Sequence, residues 1–73
     1  MMDLSAAYND PENKVDHLPI KVVCDFQDYL EQEGVTDLYY DVNTFMDTTS
    51  YSARTKNVYR NRLRRFLENV GLL

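Results

Sequence analysis

Apolar positions recur three and four residues apart in three stretches of the chain, and no stretch alternates apolar and polar residues in the manner of a strand. The first stretch, LPIKVVCDFQDYLEQEG, begins at Leu18. On a helical wheel its Val22, Val23, Phe26, Tyr29 and Leu30 fall within about 120° of arc, with Asp25, Asp28 and Gln32 opposite. Asp16 or His17 precedes the start, Pro19 suits the first turn, and Gly34 is placed for a left-handed cap with Val35 folding back behind it. The second stretch, TDLYYDVNTFMDTT, has Thr36 in position to cap, Asp37 in the first turn, and Leu38, Val42, Phe45 and Met46 on one face. Tyr40 points away from that face. The third, YSARTKNVYRNRLRRFL and the residues after it, starts at a Ser52 cap, runs to about Asn69 and is stopped by Gly71. Its Tyr59, Leu63, Phe66 and Val70 cluster, with Val58 and Leu67 at the edges.

The predicted fold is therefore all-α, a small bundle of three main helices spanning residues 18–73. Residues 1–17 are polar and contain a turn signal at NDPEN, so they are expected to be mostly mobile chain. Leu4 and Tyr8, four apart, are spaced for one short extra helical turn against the body.

Size limits what such a fold can do. At 73 residues the chain is one domain with a small core, better suited to presenting a surface than to enclosing a substrate. A single cysteine cannot form an internal disulfide, which fits a reducing compartment. No apolar run approaches the roughly 20 residues of a membrane span, and the N terminus lacks the pattern of a secretory signal. These features predict a cytoplasmic protein with no membrane association.

Charge then divides the chain. Residues 1–50 carry eleven acids against Lys14 and Lys21, a balance of −9; residues 51–73 carry six bases against Glu68, a balance of +5, which together give the overall −4. An asymmetry of this kind speaks of partners rather than fold. On the third helix Arg54, Asn57, Asn61 and Arg64 recur three and four apart on the face away from the core. Arg60 and Arg65 flank this stripe, and Lys56 and Arg62 lie nearer the apolar boundary. The stripe spans about 16 Å, comparable to the contact length of a helix in a major groove. Arg neutralises phosphate and takes guanine bidentately, and Asn takes adenine in the same way. The alternative is a solvated face, or one paired internally with the acids of the first helix, and the low pI of the whole chain favours that alternative.

The segment SYSARTKNVYRNRLRRFLENVGLL resembles the last helix of the SAM-like core-binding domain of tyrosine recombinases, the phage integrases. Ser52, Thr55, Tyr59, Leu63, Arg64, Arg65, Phe66, Leu67 and Gly71 occupy the places of that pattern. VTDLYYDVNTFMDTT and DFQDYLEQEGV are similar to the two preceding helices, so the resemblance covers residues 25–73. It implies a SAM-like fold and association with duplex DNA through Arg54, Lys56, Asn57, Arg60, Asn61, Arg62, Arg64 and Arg65. The chain departs from the family in its acidic first half. It also lacks the Arg/His-rich catalytic site that follows this domain in the family, so none of its six tyrosines is assigned the recombinase nucleophile.

Other chemistry is sparse. Cys24 at the edge of an apolar stripe reads as a filler, and His17 is a lone imidazole before a helix. No spacing points to zinc, and no Gly-rich loop points to a nucleotide. The expectation is a protein that is not an enzyme and uses no cofactor or metal. A competing reading makes the acidic half the working surface: a phage-type regulator or inhibitor docking on a host protein through Asp25, Asp28, Tyr39 and Tyr40. A third is homo-oligomerisation, the acidic half of one copy meeting the basic half of another.

Overall fold

The computed structural model describes residues 2–73, and the described residues form an all-helical bundle without strands. Helix α1 covers Leu4–Tyr8 and is followed by a single 3-10 turn at Pro11–Asn13. Helix α2 covers Ile20–Glu33, α3 covers Leu38–Thr48 and α4 covers Ala53–Val70. The three long helices match the three apolar stripes, which converge on one core. Val22, Val23, Phe26 and Leu30 come from α2, Val42, Phe45 and Met46 from α3, and Leu63, Phe66 and Leu67 from α4. Aromatic edges hold α2 to α3: the Phe45 ring lies 5.4 Å from Phe26 and 5.7 Å from Tyr29, whose hydroxyl donates to Thr44 Oγ1 at 2.8 Å.

The first half of the chain departs most from expectation. Residues 1–17 were expected as mostly mobile chain, yet Leu4 and Leu18 are wholly buried members of the same core. Asp3 caps α1 by accepting from the Ser5 and Ala6 amides, and the Leu4 amide donates to Gln27 Oε1 of α2 at 2.6 Å. Tyr8 sets its ring 6.1 Å from Phe66 and donates its hydroxyl to the Leu18 carbonyl. The short extra turn expected from the spacing of Leu4 and Tyr8 is α1, and these two residues dock the segment; what the polar composition hid is that the rest of it follows them onto the body. His17, at φ 60°, turns the chain back toward α2. This left-handed conformation is unfavourable for a residue with a Cβ. Fixed groups hold it from either side, with the Arg62 guanidinium on the Asp16 carbonyl at 3.0 Å and the Leu18 side chain in the core.

The Asp3 carboxyl is held below its ordinary value, chiefly by the Ser5 hydroxyl and then by the Ala6 amide. A group whose folded pKa is depressed contributes fully above its unfolded pKa and loses that contribution as pH falls through the folded value. Acidification below about pH 4 should therefore loosen the start of α1. In an amide NMR titration Ser5 and Ala6 should shift together there, and if they move no more than a distant amide the cap contributes nothing.

The helix ends show two further differences. Pro19 has extended backbone and stands just before α2 rather than in its first turn. Asp37, not Thr36, caps α3, accepting from the Tyr39 and Tyr40 amides. Thr36 instead gives its amide and hydroxyl to the buried Asp41 carboxylate, at 3.1 and 2.6 Å, closing the α2–α3 turn. The two glycines end their helices differently. Gly71 sits at φ 92°, ψ 15°, and the Leu72 amide returns to the Leu67 carbonyl at 2.9 Å, so Leu72 packs on the core. Gly34 shares the positive φ but has ψ 160°, which throws the chain outward. Val35 consequently stays exposed at 49% instead of folding back.

Candidate nucleic-acid interface

The basic helix is fixed at both ends and along one side. Ser52 Oγ accepts the Thr55 amide at its start, Gly71 closes its end, and Leu63, Phe66 and Leu67 anchor it inward. With that face committed, Arg54, Asn57, Asn61 and Arg65 stand exposed on the outer surface, while Lys56, Arg60, Arg62 and Arg64 are half-buried on the flanks. Val58, expected at the edge of the apolar face, is also on the outside.

The flanking arginines reach to different neighbours. Arg60 donates to Asn57 Oδ1 at 2.6 Å within α4. Arg62 turns toward the N-terminal segment and donates to the Asp16 carbonyl. Arg64, expected on the outward stripe, instead leans on α3: its guanidinium carbon lies 4.0 Å from the centre of the Tyr39 ring, and Nη2 donates to Asn43 Oδ1 at 2.5 Å. The Nε groups of Arg60, Arg62 and Arg64 have no hydrogen-bond partner within the protein. The outer ridge therefore consists of Arg54, Asn57, Val58, Asn61 and Arg65.

Two shallow hollows lie along this ridge and meet at Val58. One, of about 600 Å³, is bounded by Arg54 and Val58 on α4 and by His17 and Pro19 on the facing segment. The other, of about 360 Å³, is formed by Val58, Asn61, Arg62 and Arg65. Both are open surface depressions rather than enclosed sites.

Internal pairing does not neutralise the helix. Among the described residues the ion pairs are Lys14–Asp16 at 3.9 Å and Lys21–Asp25 at 2.6 Å, and neither involves α4. The acids of α2 thus do not pair with the basic helix, although the two helices touch. Asp25 is engaged by Lys21, whose ammonium it raises above its ordinary value, first by the hydrogen bond and then by its charge. Asp28 is exposed and without such a partner. Tyr39 and Tyr40 are exposed at 55% and 61%, and Tyr39 is joined to Arg64 of the basic helix.

Sequence reasoning did not find this Tyr39–Arg64–Asn43 junction. Its partners are more than twenty residues apart along the chain, and wheel geometry says nothing about which neighbour a long side chain will choose. Cys24 is half-buried and free. Among the described residues no group of three or more His, Cys, Asp or Glu is arranged to hold a metal ion, and no helix is long and apolar enough to cross a membrane. No protein-family model, curated protein or solved structure matches this chain.

Proposed function

We propose that this protein is a small non-catalytic module that associates with nucleic acid through α4, as its resemblance to recombinase core-binding domains implies. The observation that carries the reading is that six cations on one helix have no carboxylate partner among the described residues. A fold that needed these charges only for its own stability would bring acids to meet them, and of the twelve in the chain none does so among the described residues. In this reading Arg54 and Arg65 take phosphates or guanine edges from the ridge, and Asn57 and Asn61 face adenine edges between them. Lys56, Arg60 and Arg62 add phosphate contacts from the flanks. Leu63, Phe66 and Leu67 act only by fixing the orientation of the helix.

The test is a fluorescence-anisotropy titration against a short mixed-sequence DNA duplex at several salt concentrations. With about five phosphates engaged, affinity should fall roughly 500-fold between about 50 and 200 mM salt. Arg54→Gln or Arg65→Gln should each lower the slope of log affinity against log salt by about one. Absence of binding at the lowest salt would overturn the reading. The alternative of an acidic regulator docking on a protein through Asp25, Asp28, Tyr39 and Tyr40 draws on the exposure of the two tyrosines. It is weakened by the engagement of Asp25 with Lys21 and of Tyr39 with Arg64.

A further inference from the structure

The exposed tyrosines stand at the beginning of α3, where Asp37 fixes their backbone by accepting both amides. Tyr39 is held further, because the Arg64 guanidinium covers one side of its ring at 4.0 Å and is itself tied to Asn43. A tyrosine held so firmly and still 55% exposed has little side-chain freedom left to lose on binding. Tyr40 follows it at 61% exposure, and Val35 lies exposed in the turn before them. These are the most exposed large apolar side chains of the described residues. Arg60, one turn before Arg64 on α4, donates to Asn57 Oδ1 and has no carboxylate partner among the described residues.

Flat π surfaces beside guanidinium groups without carboxylate partners are an arrangement suited to unpaired nucleobases. The ring or the guanidinium plane stacks on the base, and the neighbouring cations take the phosphates on either side. A paired base inside a duplex cannot offer its face in this way, because its neighbours in the stack cover it. A protein partner is less favoured, since it would have to meet the tyrosines beside arginines that lack carboxylate partners.

We propose that Tyr39, with Arg64 stacked on it, Tyr40 next to it in the chain and Arg60 one helical turn before Arg64, is a stacking site for unpaired bases. The nucleic acid recognised would then carry a single-stranded segment, such as a frayed end, a tail or an open region, beside the stretch held by the α4 ridge. This rests on the nucleic-acid reading of α4 and adds the strand state of the ligand to it.

Two labelled probes separate the two claims: a short duplex, and the same duplex with a single-stranded thymidine tail. The tail should tighten binding to the wild-type protein. Tyr39→Ala should weaken binding of the tailed probe roughly 5- to 150-fold, the range expected for loss of one stacked base. The blunt duplex should be affected less than about threefold, and less still if the freed Arg64 gains a phosphate contact. Tyr39→Phe keeps the ring and should retain the preference for the tail, which a purely structural loss at this position would not predict. Unchanged amide spectra outside α3 and α4 would establish that the variants fold. Equal affinity for both probes, or equal loss on both in Tyr39→Ala, overturns the stacking site while leaving the basic ridge in place. Absence of binding to either probe overturns both.

Discussion

Replacing Leu4 by alanine should destabilise the whole domain by about 2–5 kcal/mol, the usual range for a buried leucine. A domain of this size has a total stability of only roughly 4–11 kcal/mol, so the loss would be a large share of it. The expectation follows from the complete burial of Leu4 in the core shared by α2, α3 and α4. It is reinforced by the Leu4 amide bonded to Gln27, which ties the backbone where the side chain enters. Urea denaturation followed by circular dichroism would measure the shift in midpoint, with Met2→Ala as an exposed control. A change smaller than about 0.5 kcal/mol, the range of ordinary surface substitutions, would mean that α1 does not dock in solution.

Phe66→Ala should have a still larger effect, about 3–5 kcal/mol, enough to remove much of the stability and lower the denaturation midpoint sharply. Phe66 is almost fully buried, reaches across to Tyr8, and is one of three residues that orient α4. Its loss removes packing on both sides at once, and the void cannot be closed without moving α4 relative to the N-terminal segment. Phe66→Leu keeps most of the volume and should retain a cooperative transition. If Phe66→Ala instead unfolds at nearly the wild-type denaturant concentration, the seating of α4 described above is wrong, and the outward assignment of Arg54 and Arg65 falls with it.

The three long helices were legible because each carries its own apolar period and at least one local stop or start. Ser52 and Gly71 mark α4 by themselves, since capping involves only residues within a turn. The docking of residues 2–17 was legible only in part: the i,i+4 spacing of Leu4 and Tyr8 marked the short turn, but the 3-10 turn and the burial of Leu18 have no period to detect. The Thr36–Asp37 reversal has a similar cause. Both residues are able to cap, and the choice was made by Asp41, which binds Thr36 from within α3. For the interface, the wheel correctly separated the apolar side of α4 from Arg54, Asn57, Asn61 and Arg65. It placed Arg64 outward because the attraction of the Tyr39 ring acts through the tertiary fold and leaves no mark in the spacing.

The unneutralised charge on α4 also has a consequence for the helix itself. Lys56 with Arg60, and Arg60 with Arg64, are like charges four residues apart, and Arg62 with Arg65 are three apart. Such neighbours oppose the helical conformation by a few tenths of a kcal/mol each. Contacts on the opposite side of the same helix hold the turns together against this repulsion. A bound polyanion would screen it, so that binding through α4 would at the same time strengthen the helix that binds.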